Sequence, residues 1–171
     1  MWTGRRRKQG QGRASAKARA AGGLLLLTIA MLMCTAPAGA ADGLVAKRSP
    51  YGVTETMDRL ERAVKDRELI VITRVDHAAA AQKVRLSLRP TQLLIFGNPK
   101  GGTPLMQSAQ SVGIDLPLRA VAWEDDKGQV WLAYNDPGWL VTRHGVSDRP
   151  EVVKAMTATL EALTDAATQG P

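Results

Sequence analysis

Apolar residues recur at helical spacing twice in this chain, at Met57, Leu60 and Val64 and again at Val153, Met156, Leu160 and Leu163. Each set lays one apolar stripe along a helix, which must be buried against another element. Thr54 reads as the N-cap of the first helix, and the second is expected to begin near Ser147 or Asp148. Between them lie shorter runs of strand character: Leu44–Ser49, the β-branched run Leu69–Val75, and Leu93–Phe96. The alanine-rich segment Ala78–Val84 predicts a short helix. Leu118–Glu124 and Gln129–Tyr134 flank the turn residues Asp125, Asp126, Lys127 and Gly128, which predicts an antiparallel hairpin. Asp136 followed by Pro137 is expected to cap a short helix that ends at Gly145.

One further helix is expected over Pro104–Val112, with Thr103 as N-cap, Pro104 at the first helical position and Gly113 just past its end. Because strand and helix alternate early while the hairpin comes late, the pattern predicts an α+β domain. Its architecture is two-layer, with helices packed on a mixed five-stranded sheet in a single compact domain.

Charge changes the picture only after the first forty residues are set aside. Arg5, Arg6, Arg7, Lys8, Arg13, Lys17 and Arg19 precede an apolar run from Leu24 to Met33 and the small-residue site Ala38–Ala40. This is the layout of a cleavable secretory signal, so residues 1–40 are expected to be removed and residues 41–171 to form the domain, periplasmic or secreted. The run is about half of the roughly 20 residues a membrane span requires, so no stable anchor is expected after cleavage. Those seven cations belong to the leader, and the remaining sixteen Lys and Arg balance the sixteen Asp and Glu. Without a cationic surplus, nucleic acid is not an expected partner. Cys34 is the sole cysteine and falls in the leader, so no disulfide supports the fold.

Several ordered segments carry a likeness beyond pattern. They are Phe96–Gln107, Ile114–Arg119, Trp123–Asp125, Val130–Leu132, Tyr134–Pro137 and Arg143–Gly145, with Val75–Ala78 and Arg89–Thr91 also in place. From about Leu44 to Val146 the chain resembles the domain of unknown function 302 family. The resemblance implies a compact α plus β domain and brings no established reaction with it.

The most chemical segment joins a strand to a helix start. Asn98, Lys100, Gly101, Gly102 and Thr103 are expected to present free N–H groups and one cation to a small anionic ligand. The alternative is a tight turn built from Gly and Pro. The order of residues is not that of a nucleotide-binding phosphate loop. His77 and His144 are the only histidines, and they are candidate ligands for a metal together with Asp76 or Asp115, with Met106 a further donor at a copper or haem site. Their spacing matches no metal motif, and capping or hydrogen bonding is the alternative for each. Asp115 and Arg119 complete the candidate binding set. No nucleophile signature such as Gly-x-Ser-x-Gly occurs, so catalytic residues stay unknown. The preferred reading is a non-catalytic domain that binds a small ligand, an anion or a metal. The alternatives are a small periplasmic hydrolase using His144 and a nearby carboxylate, or a dimeric assembly module without a ligand. Trp123 and Trp131 are expected to share a core layer, and the hairpin offers an edge for a homodimer.

Overall fold

The computed structural model describes residues 42–170; the segment read as a signal, residues 1–40, lies outside them. Strands β1 (Leu44–Ser49), β2 (Ile70–Asp76), β3 (Thr91–Gly97), β4 (Leu118–Glu124) and β5 (Val130–Asn135) form one sheet in the order β1-β5-β4-β3-β2. Helix α1 (Val53–Asp66) follows β1, α2 (His77–Lys83) follows β2, α3 (Pro99–Ser108) follows β3, and α4 (Pro137–Arg143) and α5 (Pro150–Thr168) follow β5. A 3₁₀ turn at Gln110–Ile114 leads from α3 into β4. The domain is α+β, with five helices and a five-stranded open sheet.

Every pair of neighbouring strands is antiparallel, so the sheet is not the mixed one expected from the strand–helix alternation. The reason lies in the connections. α2 has seven residues, none of them buried, and at about 1.5 Å per residue it is too short to carry the chain back along a strand. It closes a wide hairpin between β2 and β3 instead. α1 does return the chain, but it delivers β2 to the edge of the sheet opposite β1, where the two never pair.

One face of the sheet is covered. Along β3 burial alternates, with Gln92, Leu94 and Phe96 buried and their neighbours half-buried, as a two-residue period requires. Leu94 and Phe96 join Ala120 and Ala122 of β4, Leu132 and Tyr134 of β5, Met57, Leu60 and Val64 of α1 and Leu160 and Leu163 of α5 in one core. The helix boundaries differ slightly from expectation. α1 starts at Val53 with Gly52 in the capping position, and the Thr54 hydroxyl accepts instead from Gln92 Nε2 at 3.3 Å. α5 begins at Pro150.

Trp123 and Trp131 are direct cross-strand partners, but they lie outside the buried core, on the sheet face turned away from α1 and α5. Arg48 stacks 5.2 Å from the Trp131 ring, and the indole Nε1 of Trp131 donates to Asp125 Oδ2 at 2.9 Å. That bond, with those from the Gln129 and Lys127 amides, holds the Asp125 carboxyl below the usual carboxylate range and anchors the turn. The hairpin lies inside the sheet, with β5 between β1 and β4. It therefore offers no free edge for a homodimer; the edges are β1 and β2.

Tyr134 is buried near the C-terminal end of β5. Burial, followed by the nearby charges of Glu161, Asp136 and Asp165, raises its phenol above the ordinary value. A phenol whose folded pKa is raised contributes stability that is complete below the unfolded value of about 10 and is lost as pH rises through the folded value. Urea denaturation at stepped alkaline pH is expected to show stability falling above about pH 10, with a shallower fall in Tyr134→Phe.

Candidate functional site

The chain after β3 sets up the site. Asn98 is extended, and its side-chain oxygen accepts from the Lys100 amide at 2.9 Å, so it caps α3 with Pro99 at the first helical position. The sequence contains two Pro-led helix starts, and the first is used. The helix expected over Pro104–Val112 therefore begins five residues earlier. Pro104 stands inside it, and Gly113 lies in the 3₁₀ turn rather than past a helix end. The Gly101 and Gly102 amides donate to the Asn98 carbonyl at 3.0 and 3.2 Å, and neither glycine has positive φ. The open N–H cradle expected here is not formed, because these residues are the first turn of a helix and the cap residue takes up their donors. Gly102 is a close-packing position, since a Cβ there would come 3.1 Å from the Leu116 side chain.

The same residues nevertheless rim a cleft of about 830 Å³. Ile70 and Ile72 of the β2 edge form one wall, Leu116, Leu118 and Met106 line its depth, and Val152, Ala155 and Met156 of α5 form another wall. Asn98, Lys100, Gly101, Gly102 and Thr103 all border it, and Glu151 and Thr159 add polar groups from α5. Ile70 and Ile72 are 55% and 52% exposed, which is high for isoleucine in a strand, and they face this space.

The other candidates lie elsewhere. His77 is exposed at the start of α2, which is capped by Asp76 through the Ala79 amide at 2.8 Å. Asp76 is level with Gln92 and Ala122 across the sheet, whereas Asp115 precedes Leu118, which is level with Phe96. His77 and His144 thus sit toward opposite ends of the strands. Among the described residues no group of three His, Cys, Asp or Glu side chains is placed to hold a metal. Arg119 is exposed and donates to the Ile114 carbonyl.

Asp115 and His144 are brought together. His144 Nε2 lies 2.7 Å from Asp115 Oδ2, with side chains 7% and 9% exposed. Nδ1 of the same ring lies 3.0 Å from the Ser111 hydroxyl, and Arg143 reaches the other Asp115 oxygen at 3.2 Å. His144 occupies the C-cap of α4, and Gly145 follows with φ of 68°. The imidazole spends its nitrogens on the 3₁₀ turn rather than on helix carbonyls. The sequence reading missed Ser111, which stands in no motif. It also missed the cleft walls, whose only signal was the pair Ile70 and Ile72, two apart in a strand.

Helices on one face of an antiparallel sheet, with an apolar cleft where the β2 edge, α3 and α5 meet, define a small α+β domain whose concave face is built from distant segments. The family model described as "Domain of unknown function DUF302" matches residues 45–167, and the chain belongs to that family. The fold agrees with the crystal structure of an uncharacterized conserved DUF302 protein from Bacillus stearothermophilus. That likeness has a TM-score of 0.67 and 22% identity, covering 74% of this chain and 99% of that one. Curated relatives include "Fluoride-specific ion channel FluC 1" of Brucella suis biovar 1 (strain 1330), 49% identical over 116 residues, which is 67% of this chain and 46% of the relative. The protein of that name from Brucella abortus biovar 1 (strain 9-941) is also 49% identical over 116 residues, covering 67% of this chain and 43% of its own. The chain spans less than half the length of these relatives.

Proposed function

We propose that the cleft of this domain binds a small amphipathic anion without catalysing a reaction on it, and that the chain is exported after cleavage following Ala40. The apolar body of the ligand lies in the cleft and its charged end at Lys100. The observation that carries the reading is the cleft itself. Its volume of about 830 Å³ falls within the range of about 300–1,000 Å³ occupied by small-molecule sites, and such sites combine apolar walls with a few polar groups. Lys100 is exposed at the rim and makes no ion pair among the described residues. It also stands in the first turn of α3, where the helix dipole favours negative charge. The name of the Brucella relatives attaches anion handling to chains that carry a matching segment, which supports the anionic half of the reading; the channel activity is theirs.

Decanoate serves as the probe, and titration calorimetry on the chain lacking residues 1–40 reads its binding. Lys100→Ala is expected to weaken binding by about fivefold, the upper range for a solvent-screened charge, with an unchanged melting temperature. Equal binding by the variant removes Lys100 from the site, and a lowered melting temperature assigns it to the fold.

A further inference from the structure

The geometry points to a second site at the 3₁₀ turn that follows α3: Ser111, His144 and Asp115 as nucleophile, base and orienting carboxylate for the hydrolysis of small, unhindered carboxylic esters. None of the three residues lines the cleft, so either reading can fail alone. Ser111 and Asp115 stand four residues apart at the 3₁₀ turn, and the imidazole at the end of α4 is held between them. An ionised carboxylate only accepts hydrogen bonds, so Asp115 Oδ2 at 2.7 Å takes the Nε2–H of His144. That choice fixes the tautomer and leaves the Nδ1 lone pair facing the Ser111 hydroxyl at 3.0 Å, the orientation in which an imidazole accepts a proton from serine. Arg143 occupies the second Asp115 oxygen at 3.2 Å, so the carboxylate is held from both sides. Burial is graded in the useful sense: His144 and Asp115 are almost enclosed while Ser111 is exposed. A shallow groove lined by Thr103, Met106, Gln107 and Gln110 adjoins the start of the turn.

The chemistry closes with water as the only co-reactant. Ser111 Oγ bonds to the acyl carbon as its proton passes to His144 Nδ1. The bond from that carbon to the alcohol oxygen then breaks, and Nδ1 returns the proton to the departing alcohol. Water next attacks the acyl group on Ser111 and gives its proton to Nδ1. The acid leaves as the Ser111 oxygen takes that proton back.

The test uses the folded full chain with two probes: a fluorophosphonate, with its site located by peptide mass spectrometry, and p-nitrophenyl acetate, followed by release of nitrophenol. The fluorophosphonate is expected to modify Ser111 ahead of every other serine, and Ser111→Ala is expected to lose ester hydrolysis down to the buffer rate. His144→Gln is expected to slow modification of an intact Ser111 by about 100-fold or more, the lower range for a positioned base, with circular dichroism confirming that it is folded. If that variant does not fold, Asp115→Asn supplies the same readout, because an amide no longer fixes the tautomer. A folded wild-type protein whose Ser111 is not preferentially modified overturns the proposal. So does a Ser111→Ala variant that hydrolyses the ester at the wild-type rate, leaving the three residues as a structural tie between α4 and the 3₁₀ turn.

Discussion

Phe96→Ala is expected to lower the unfolding free energy by about 3–5 kcal/mol, the range for truncating a fully buried aromatic side chain. Phe96 has no exposed surface, and it pairs with Val71 on one side and Leu118 on the other, where the two edges of β3 meet the helix-covered core. The loss combines the transfer free energy of the ring with a cavity that a sheet pinned by strands on both sides cannot close. Against a typical domain stability of about 5–15 kcal/mol, such a variant has little margin. Urea denaturation checks it through a lower midpoint at an unchanged slope. Trp123→Ala provides the contrast, since its half-buried ring lies on the sheet face away from α1 and α5 and is expected to cost less. A Phe96→Ala loss below about 1 kcal/mol would place the core elsewhere.

The parts of this fold legible in the sequence are those in which local chemistry and burial agree. Met57, Leu60 and Val64 mark the buried stripe of α1 because nothing but helical spacing puts them on one side. The β4–β5 hairpin is legible because Asp125 accepts from two turn amides and Gly128 takes a φ of 76°, as the turn chemistry predicts. Asp136 caps α4 through the Trp139 amide at 2.8 Å, as its place before Pro137 implies. Where two signals competed, the expectation followed the wrong one, Pro104 for the helix start and a mixed sheet for strand direction. Pro99 and Pro104 each open a plausible helix, and the decision belongs to Asn98, whose cap is visible only once the backbone turns. Strand direction was equally underdetermined, because a seven-residue helix and a full crossover look alike until their lengths are set against the sheet.

The candidate site was legible by halves. Asn98 to Thr103 were singled out as an N–H cradle, and they form the first turn of α3 at the rim of an apolar cleft. The cleft is a tertiary product of segments near residues 70, 100, 116 and 155, and no local pattern announces it. The pairing of His144 with Asp115 and Ser111 is of the same kind, since the ring and the turn lie about thirty residues apart. The Trp139 ring against Gly43 is another. A Cβ on Gly43 would fall 2.2 Å from that ring, and the glycine's φ is 81°, yet a lone glycine before a strand carries no such message in sequence.

The proposed binding reading stands or falls with the cleft, and filling the cleft is the largest perturbation available to it. Ala155 is exposed on α5 and lines the cleft without belonging to the core. Ala155→Trp therefore puts an indole into the space with little effect on folding, whereas a bulky substitution inside a packed core costs about 1–3 kcal/mol. The expected result is loss of at least about 100-fold in decanoate affinity, because excluding an apolar chain forfeits about 0.8 kcal/mol for each methylene that can no longer be buried. The decisive measurement is a calorimetric titration of decanoate into the wild type and Ala155→Trp side by side, with melting temperatures recorded for both. Saturable binding by the wild type, lost in an equally stable Ala155→Trp, is the result predicted here. No binding by the wild type, or equal binding by both, contradicts it.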